Sequence, residues 1–406
     1  MQTAIPSELL STSAGREADA ILRRCVHCGF CNATCPTYQL LGDELDGPRG
    51  RIYLVKKFME GDGDATVVQR HLDRCLSCRS CETTCPSGVS YARLADIGRG
   101  LVEDGTPRAP RQRIMRAALR TLLPRPTLFA ALLGIGRLFR PLLPKSLRDT
   151  IPVRVPPGDW PAPQHARRVL AFDGCVQGAI APRINTALAR VLDRAGISLI
   201  PDPARNCCGA IDWHLGAHAA ARVRMRRNLD SWIAALDQGI EAITIAASGC
   251  AAMVKEYPHV FADDPVYAPR AARVAAVLRD PSELITIEAI EDCVPTQRRT
   301  RIALHAPCTL THSLKLAAQP AALLAAAGFE LTPVRDAHLC CGSAGTYSIL
   351  QPDLATPLRD AKLDALTAGD PTAIATANIG CLLHLARASP VPVRHWIEIL
   401  DNGMIA

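Results

Sequence analysis

The sequence lacks the segments that would export the chain or anchor it across a membrane. Residues 1–24 contain no positively charged stretch followed by an apolar one, so we expect no secretory signal peptide. No uninterrupted apolar run reaches the roughly 18 residues that a membrane-spanning helix needs. We therefore expect a soluble or peripheral protein in a reducing cytoplasm. In that compartment, spaced cysteines are more often metal ligands or redox groups than disulfides.

Motifs for nucleotide cofactors and for covalent haem are also missing. The sequence contains no P-loop, no C-x-x-C-H and no G-x-G-x-x-G after a strand, since Gly134-Ile-Gly136 lacks the third glycine. An enzyme that oxidises an organic substrate normally uses a flavin or a nicotinamide for the two-electron step. We therefore expect the substrate chemistry, and any FAD, on another subunit.

Aromatic residues are scarce at 4%, and the formal net charge of +7 is concentrated in one segment. Residues 101–150 hold ten Lys and Arg against three acidic residues, which equals the excess of the whole chain. Without aromatics for base stacking, we expect no nucleic-acid binding. Within this segment, residues 127–143 are apolar with arginines at the rim. Two interpretations remain open: a helix on a membrane surface, or a helix packed between domains or onto a partner.

Cysteines are abundant, with 17 in 406 residues, and their positions divide the chain. Eight lie between Cys25 and Cys85, none between Cys85 and Cys175, and nine from there onward. The middle stretch is rich in Pro, Arg and Leu, which is typical of a linker with one or two short helices. We predict domains at 1–105, 166–290 and 300–406, with a basic linker at 106–165.

The N-terminal cysteines form two complete runs of C-x2-C-x2-C-x3-C-P, the spacing of bacterial ferredoxins. In that pattern the fourth cysteine of each run binds the other cluster. Zinc is the alternative, but it would leave the third cysteine and the Cys-Pro of each run unexplained. We predict two [4Fe-4S] clusters with these ligands: Cys25, Cys28, Cys31 and Cys85 for the first; Cys75, Cys78, Cys81 and Cys35 for the second.

The C-terminal part contains an internal duplication. A cysteine, a Cys-Cys-Gly and a further cysteine recur at offsets of about 131 to 133 residues. The first copy holds Cys175, Cys207, Cys208 and Cys250, and the second holds Cys308, Cys340, Cys341 and Cys381. Short aliphatic runs alternate with helical stretches in each copy. The predicted fold class is therefore multidomain α+β and α/β: a helical ferredoxin-like domain followed by a duplicated α/β module with mainly parallel sheets.

Two stretches resemble a known family. Cys28-Gly-Phe-Cys31-Asn-Ala-Thr-Cys35-Pro and Gly47-Pro-Arg-Gly-Arg-Ile52 are similar to the iron-sulfur subunits of bacterial glycolate oxidase. The Cys-Cys-Gly modules resemble those of that family, of anaerobic glycerol-3-phosphate dehydrogenase and of heterodisulfide reductases. The resemblance implies an electron-transfer subunit of a glycolate dehydrogenase complex that also accepts D-lactate. It further implies a flavin subunit as partner, a quinone as acceptor and a peripheral location at the cytoplasmic face of the inner membrane.

The Cys-Cys-Gly modules depart from the heterodisulfide reductase pattern, in which each module ends in C-x-x-C. Here the ends are Cys250-Ala-Ala-Met253 and Cys381-Leu-Leu-His384. The candidates for a third iron-sulfur cluster or another redox site are Cys308, Cys340, Cys341 and Cys381, with His384 as a candidate fifth ligand. The first copy (Cys175, Cys207, Cys208, Cys250) is the weaker candidate. The alternative function is an iron-sulfur subunit for glycerol-3-phosphate or lactate, or an enzyme that reduces a disulfide or quinone at these cysteines.

Five histidines and one cysteine have open roles. His27 lies between two predicted ligands, where it either donates to a sulfur or is a solvated loop residue. His214 and His218 have i, i+4 spacing but lack the Glu of H-E-x-x-H, so we predict an ordinary helix face. His305 and His312 flank Cys308 and are candidates for lining its pocket. Cys293 has no counterpart and is predicted to be a free thiol.

Overall fold

The computed structural model describes residues 1–144, 148, 151–291 and 300–405. A helical N-terminal part is followed by a connecting segment and by two α/β units, which we call module one and module two. The predicted free thiol Cys293 lies outside the described residues. Within them, the predicted fold class is confirmed.

The N-terminal part is built from eight helices that surround one apolar core. Apolar side chains of the longer helices meet in this core, among them Leu22, Ile52, Val55, Leu72 and Leu94. The side chain of Asp64 accepts hydrogen bonds from the amides of Thr66 and Val67, which fixes the start of one helix. The helices are α1 (Ser7–Ser11), α2 (Ser13–Arg24), α3 (Phe30–Ala33), α4 (Pro36–Leu41), α5 (Pro48–Met59), α6 (Ala65–Asp73), α7 (Ser80–Thr84) and α8 (Tyr91–Gly105), with a 3-10 turn at Glu44–Asp46.

The connecting segment contains two helices, α9 (Pro110–Leu122) and α10 (Pro126–Phe139), and a 3-10 turn at Arg140–Leu142. Helix α9 joins two domains through ion pairs. Arg116 lies 2.6 Å from Asp73 of the N-terminal part, and Arg120 lies 3.0 Å from Asp212 of module one. The segment is therefore docked at α9, whereas α10 has no buried residues.

Among the described helices, none is by itself long and apolar enough to cross a membrane. Helix α9 together with Pro126–Leu142 meets the length and composition criteria only as a pair, and the pair is bent by 105°.

Each module contains a four-stranded parallel sheet, and the two sheets have the same strand order. Module one has β2-β1-β3-β4 and module two has β6-β5-β7-β8, so the predicted duplication is confirmed. The third strand of module one, Ala242–Thr244, is short because the chain then turns toward the helix that carries Cys250. The strands are β1 (Arg167–Ala171), β2 (Ile197–Pro201), β3 (Ala242–Thr244), β4 (Leu278–Arg279), β5 (Arg301–His305), β6 (Glu330–Leu331), β7 (Ala373–Thr376) and β8 (Val393–His395).

Helices cover both faces of each sheet, as parallel sheets require. Those of module one are Gln177–Ile180, Arg183–Arg194, Ala210–His214, His218–Asp237, Ser248–Lys255, Tyr257–Val260, Tyr267–Val277, Pro281–Leu284 and Ile287–Glu291. Those of module two are Ala318–Ala326, Tyr347–Leu350, Pro352–Thr367, Ile379–Leu385 and Trp396–Ile405, with a π-helical turn at Thr309–Leu314.

The two modules share one apolar core and several polar contacts. Arg190 of module one pairs with the buried carboxylate of Asp401 of module two, 2.5 Å away. The Ser248 hydroxyl lies 2.8 Å from the Thr309 hydroxyl, and the Gly249 amide donates to Asn378 Oδ1 over 3.2 Å. The carboxyl ends of β3 and β7, where Cys250 and Cys381 follow, therefore face each other.

Trp232 provides a test of the module one core. Its side chain is fully buried, contacts Phe172 edge-to-face and donates from Nε1 to Asp202 over 3.0 Å. We expect Trp232→Ala to lower the free energy of unfolding by about 3–5 kcal/mol, because it leaves a cavity and an unpaired carboxylate. Chemical denaturation followed by circular dichroism measures this change.

Val223→Ala in the same helix is the matched control, because Val223 is 47% exposed. We expect a change within about 0.5 kcal/mol for this surface substitution. Equal effects of the two substitutions would contradict the described core.

Candidate metal centres

The eight N-terminal cysteines line two neighbouring cavities in two groups of four. Cys25, Cys28, Cys31 and Cys85, which we call set one, line the first cavity. Cys35, Cys75, Cys78 and Cys81, set two, line the second. Cys81 lies on the wall that the two cavities share. Each set supplies four thiols, the number that a [4Fe-4S] cluster needs, and the fourth cysteine of each run lies with the other run.

The two ligand loops have the same unusual backbone. The residues before and after the second cysteine are left-handed: His27 and Gly29 in the first run, Ser77 and Arg79 in the second, with φ from 52° to 85°. This conformation turns backbone amides toward the sulfurs, and the Ser77 amide donates to Cys75 Sγ over 3.4 Å. Gly29 suits its position because its φ of 85° lies in the left-handed region that favours glycine.

Set two lies among buried cationic and hydroxyl groups. Arg51, which is 1% exposed, donates to the His71 carbonyl over 2.7 Å and lies 3.9 Å from Cys35 Sγ. Arg99 donates to the Cys75 carbonyl over 2.9 Å. The Tyr91 hydroxyl donates to Cys75 Sγ over 3.4 Å. Set two therefore has positive charge and hydrogen-bond donors directed at its sulfurs.

Within set two the thiol pKa values single out Cys75, since burial raises the pKa values of Cys78 and Cys81 well above their usual range. Burial raises the pKa of Cys31 in set one to about 11. In set two, burial opposes the ionisation of Cys75, but the charges of Arg51 and Arg99 outweigh burial and lower its pKa. The protein thus stabilises negative charge on Cys75 before any metal is considered.

The two sets also differ in their access to solvent. Cys28 is exposed, and its neighbours Val26 and Phe30 are 68% and 61% exposed. In set two, Cys35, Cys75 and Cys81 are buried. Set one therefore has an edge at the surface, flanked by apolar side chains, whereas set two faces the interior.

Set two faces module two. Cys78 packs in one apolar cluster with Leu76, Cys308 and Cys340. The Tyr347 hydroxyl of module two donates to the Arg74 carbonyl over 3.1 Å, and Thr83 lies 2.9 Å from His312 Nδ1. Charge on Cys308 and on Cys340 interacts with Cys78 strongly enough to affect the thiol pKa values. Sequence reasoning had no signal for this contact.

Within each module the four cysteine thiols lie close to one another. In module two, Cys308 Sγ and Cys340 Sγ are 4.0 Å apart, and the Gly342 amide donates to Cys340 Sγ over 3.4 Å. In module one, the Gly209 amide makes the same bond to Cys207 over 3.4 Å. Both glycines are left-handed, with φ of 83° and 86°.

His305, rather than His384, joins the cysteines of module two. A ring nitrogen of His305 and the sulfurs of Cys341 and Cys381 lie within 4.8 Å of one another, and all three residues are buried. His384 instead donates from Nε2 to the Ala355 carbonyl over 3.2 Å. Sequence adjacency suggested His384 because it occupies the last position of the C-x-x-C pattern.

The remaining histidines have structural contacts. His214 and His218 are not on one helix, because the chain breaks at Gly216, whose φ is 80°. His214 lies 3.3 Å from Asp96, and the ring of His218 stacks on Trp213. His312 contacts Thr83 and the His338 carbonyl at the domain interface. The half-buried ring of His27 contacts Tyr53 edge-to-face, so it is not a fully solvated loop residue.

Sequence reasoning missed Arg51, Arg99 and Tyr91 as groups around set two. Arg51 is part of the Gly47-Pro-Arg-Gly-Arg-Ile52 stretch, which was noted only as a family signature. Arg51 lies between Gly50 and Ile52, which are both buried positions of the helix. This placement was the available signal that Arg51 is buried. Arg99 and Tyr91 lie on α8 and have no local signal.

Comparisons with known proteins agree with this arrangement. Residues 21–89 match the family described as a 4Fe-4S dicluster domain, so the chain binds two [4Fe-4S] clusters. Residues 169–255 and 302–386 match the cysteine-rich domain family.

Individual relatives cover most or all of the chain. It is 50% identical to the glycolate oxidase iron-sulfur subunit of Escherichia coli K12, over 100% of this chain and 99% of that protein. It is 31% identical to a probable glycolate oxidase iron-sulfur subunit of Bacillus subtilis 168, over 90% and 88%. Lactate utilization protein A of Geobacillus kaustophilus is 29% identical over 58% of this chain and 98% of that protein. The chain therefore belongs to the family of glycolate oxidase iron-sulfur subunits.

Proposed function

We propose that this protein is the electron-transfer subunit of a membrane-associated glycolate dehydrogenase complex, in which a separate flavin subunit oxidises glycolate to glyoxylate. The observation that carries the proposal is the contrast between the two cysteine sets: set one reaches the surface and set two faces the interior. Cys25, Cys28, Cys31 and Cys85 are the proposed ligands of the first cluster. Cys35, Cys75, Cys78 and Cys81 are those of the second.

When bound, the clusters supply one-electron transfer between the flavin and a quinone acceptor. The protein residues determine direction. Arg51, Arg99 and Tyr91 place positive charge and a hydrogen bond beside Cys75. Such groups favour the more negative, reduced state and raise the reduction potential at set two. Electron transfer from set one to set two would therefore be favoured.

The flavin subunit is proposed to dock at the exposed edge of set one. Val26 and Phe30 are large apolar side chains in solvent on both sides of Cys28. Leu40, Leu41 and Tyr53 in the same domain are also exposed. Exposed aromatic and aliphatic groups beside a redox centre are suited to a protein partner that must approach closely.

The membrane contact is proposed to be α10 with the following turn. Leu138 and Leu142 are 74% and 81% exposed, and the exposed Arg125 lies at the start of the helix. An apolar face flanked by arginines fits an anionic lipid surface, where the side chains enter the interface without crossing it. A location at the cytoplasmic face of the inner membrane follows from the quinone acceptor in this proposal.

Glycolate is the proposed substrate of the complex because relatives named for glycolate oxidase match 90% to 100% of the chain. D-lactate is a second candidate. It is favoured by the similarity of 58% of the chain to proteins named for lactate utilization. The flavin subunit contacts the substrate, so the comparison of the two acids must be made with the complex.

Reconstitution tests the proposed function. We expect the protein alone to show cluster absorbance but no glycolate-dependent dye reduction, and the flavin subunit to restore that activity. Phe30→Ser is expected to weaken the apparent affinity for the flavin subunit about tenfold, because truncating a central interface aromatic costs about 1–2 kcal/mol. Dye reduction at varied flavin-subunit concentration measures this affinity.

Val266→Ser on module one is the control, since Val266 is 55% exposed and distant in sequence from both sets. It should leave affinity and cluster absorbance unchanged. Glycolate oxidation by the isolated chain, or equal effects of the two variants, would contradict the proposal. If the complex turned over D-lactate faster than glycolate, D-lactate would be assigned as the substrate. The proposed role of this subunit would stay the same.

Tyr91→Phe tests the tuning of set two. Loss of the hydroxyl donor to Cys75 should lower one of the two cluster potentials by roughly 40 mV, the equivalent of about 1 kcal/mol. Potentiometric titration followed by electron paramagnetic resonance measures both clusters. Tyr267→Phe, whose hydroxyl donates to Asp230 in module one, should leave both potentials unchanged. Unchanged potentials in Tyr91→Phe would refute the assigned role of Tyr91.

Sedimentation with vesicles tests the membrane contact. We expect binding to vesicles that contain phosphatidylglycerol, weaker binding at high salt, and at least about tenfold weaker binding for the double variant Leu138→Glu and Leu142→Glu. Val266→Glu is the control. If the double variant kept vesicle binding but lost the flavin subunit, α10 would be a protein interface instead.

A further inference from the structure

The two modules share a fold but differ in the residues around their thiols. The strand registers make the two sites comparable residue by residue: β1 pairs with β3 as β5 pairs with β7. By this register and the 133-residue offset, His305 occupies the position of Phe172. Thr376, the partner of His305, occupies the position of Ile245, which directly follows Thr244, the partner of Ala171. Two apolar positions of module one are therefore polar in module two.

His305 is held in a fixed orientation at the end of β5. Its Nδ1 lies 2.9 Å from the Thr376 hydroxyl, in a contact between buried side chains of paired strands. When Nδ1 donates to this hydroxyl, Nε2 keeps its lone pair for another partner. Metal-bound histidines commonly have such a second contact, which fixes the tautomer and the ring plane.

The cysteines on the other side of the site are held as well. Asn378 Nδ2 donates to Cys381 Sγ over 3.5 Å, and the Gly342 amide donates to Cys340 Sγ over 3.4 Å. Amide donors of this kind stabilise sulfur that carries negative charge. The site thus supplies imidazole and thiol donors that are already oriented.

A buried cation lies beside the same thiols. Lys362 is 3% exposed, and its ammonium donates to the Asp336 carbonyl over 2.7 Å. Burial lowers the pKa of Lys362, while Cys340, Cys341 and Cys308 act to raise it, which places these thiols within electrostatic reach. By the 133-residue offset, the corresponding residue of module one is the apolar Leu229. A metal centre that is bound by several thiolates carries negative charge. The buried cation of Lys362 therefore makes module two suited to such a centre.

We propose that module two binds an iron-sulfur centre in which His305 is a ligand together with Cys341 and Cys381, with Cys308 and Cys340 completing the donor set on the side toward set two. The matching site of module one has Phe172 in place of this ligand and carries no such centre. Imidazole ligation raises the potential of an iron-sulfur centre relative to thiolate alone. The packing of Cys78 against Cys308 places this centre next to set two.

The test uses the full-length protein prepared without oxygen. We expect iron to exceed the about eight atoms per chain of the N-terminal domain by about two to four. Pulsed electron paramagnetic resonance on reduced protein with 15N-labelled histidine should show a nitrogen directly bound to iron. His305→Cys should keep the extra iron, because a thiolate replaces the imidazole, but should lose this nitrogen coupling.

Matched variants separate the candidate ligands. His384→Gln should keep the nitrogen coupling, because the ligand atoms that lie within 4.8 Å of one another belong to His305, Cys341 and Cys381 and not to His384. Cys381→Ser should remove the extra iron, whereas Cys250→Ser at the matching position of module one should not. Iron near eight in the unaltered protein overturns the proposal, as does coupling that survives His305→Cys or disappears in His384→Gln. The unaltered protein gives the first two readouts without any substitution, so a variant that fails to fold does not remove the test.

Discussion

The buried guanidinium of Arg51 is the group on which the N-terminal domain depends. It links four segments: its donors reach the His71 carbonyl, the Thr37 hydroxyl and the Asp46 carboxylate, and it lies 3.9 Å from Cys35 Sγ. Asp46 is itself buried and also binds His71 and Arg74, so the charges compensate one another. Removing one partner of such a pair costs about 3–5 kcal/mol because the other charge stays buried. The same cation that fixes these segments also sets the charge around Cys75, so stability and redox tuning share one residue.

The duplicated modules show how one fold supports two different interiors. The sheet order, the Cys-Cys-Gly turn and the amide bond to the first cysteine of that pair are the same in both. The differences lie at the ends of the central strands, where Phe172 packs on Trp232 and His305 bonds to Thr376. The sheet order is the same in both modules although these strand-end side chains differ.

The sequence was sufficient for features that depend on local spacing. The two four-cysteine groups follow from runs that repeat within a short stretch, and the duplication follows from a nearly constant offset between two copies. In the structure, two groups of four thiols line neighbouring cavities, and the two sheets have one strand order. Features that depend on pairing between distant segments were not predictable. The selection of His305 over His384 needs the register of β5 with β7, and the break between His214 and His218 needs the left-handed turn at Gly216. Arg79, left-handed without being glycine, is held by Glu256 of module one, 2.6 Å away and 177 positions further along the chain.

The ion pair of Arg79 also explains why set two and the modules form one unit. The Arg79 backbone is part of the ligand loop, and its side chain binds Glu82 of the same loop and Glu256 of module one. On the opposite side of the loop, Thr83 contacts His312 and Arg74 contacts Tyr347 of module two. A ligand loop that both modules hold has little freedom to move, whereas the loop of set one ends in the exposed Val26 and Phe30. The rigid contacts therefore lie at set two, where the redox centres must stay close together. The open side is that of set one, where the partner subunit must bind and dissociate.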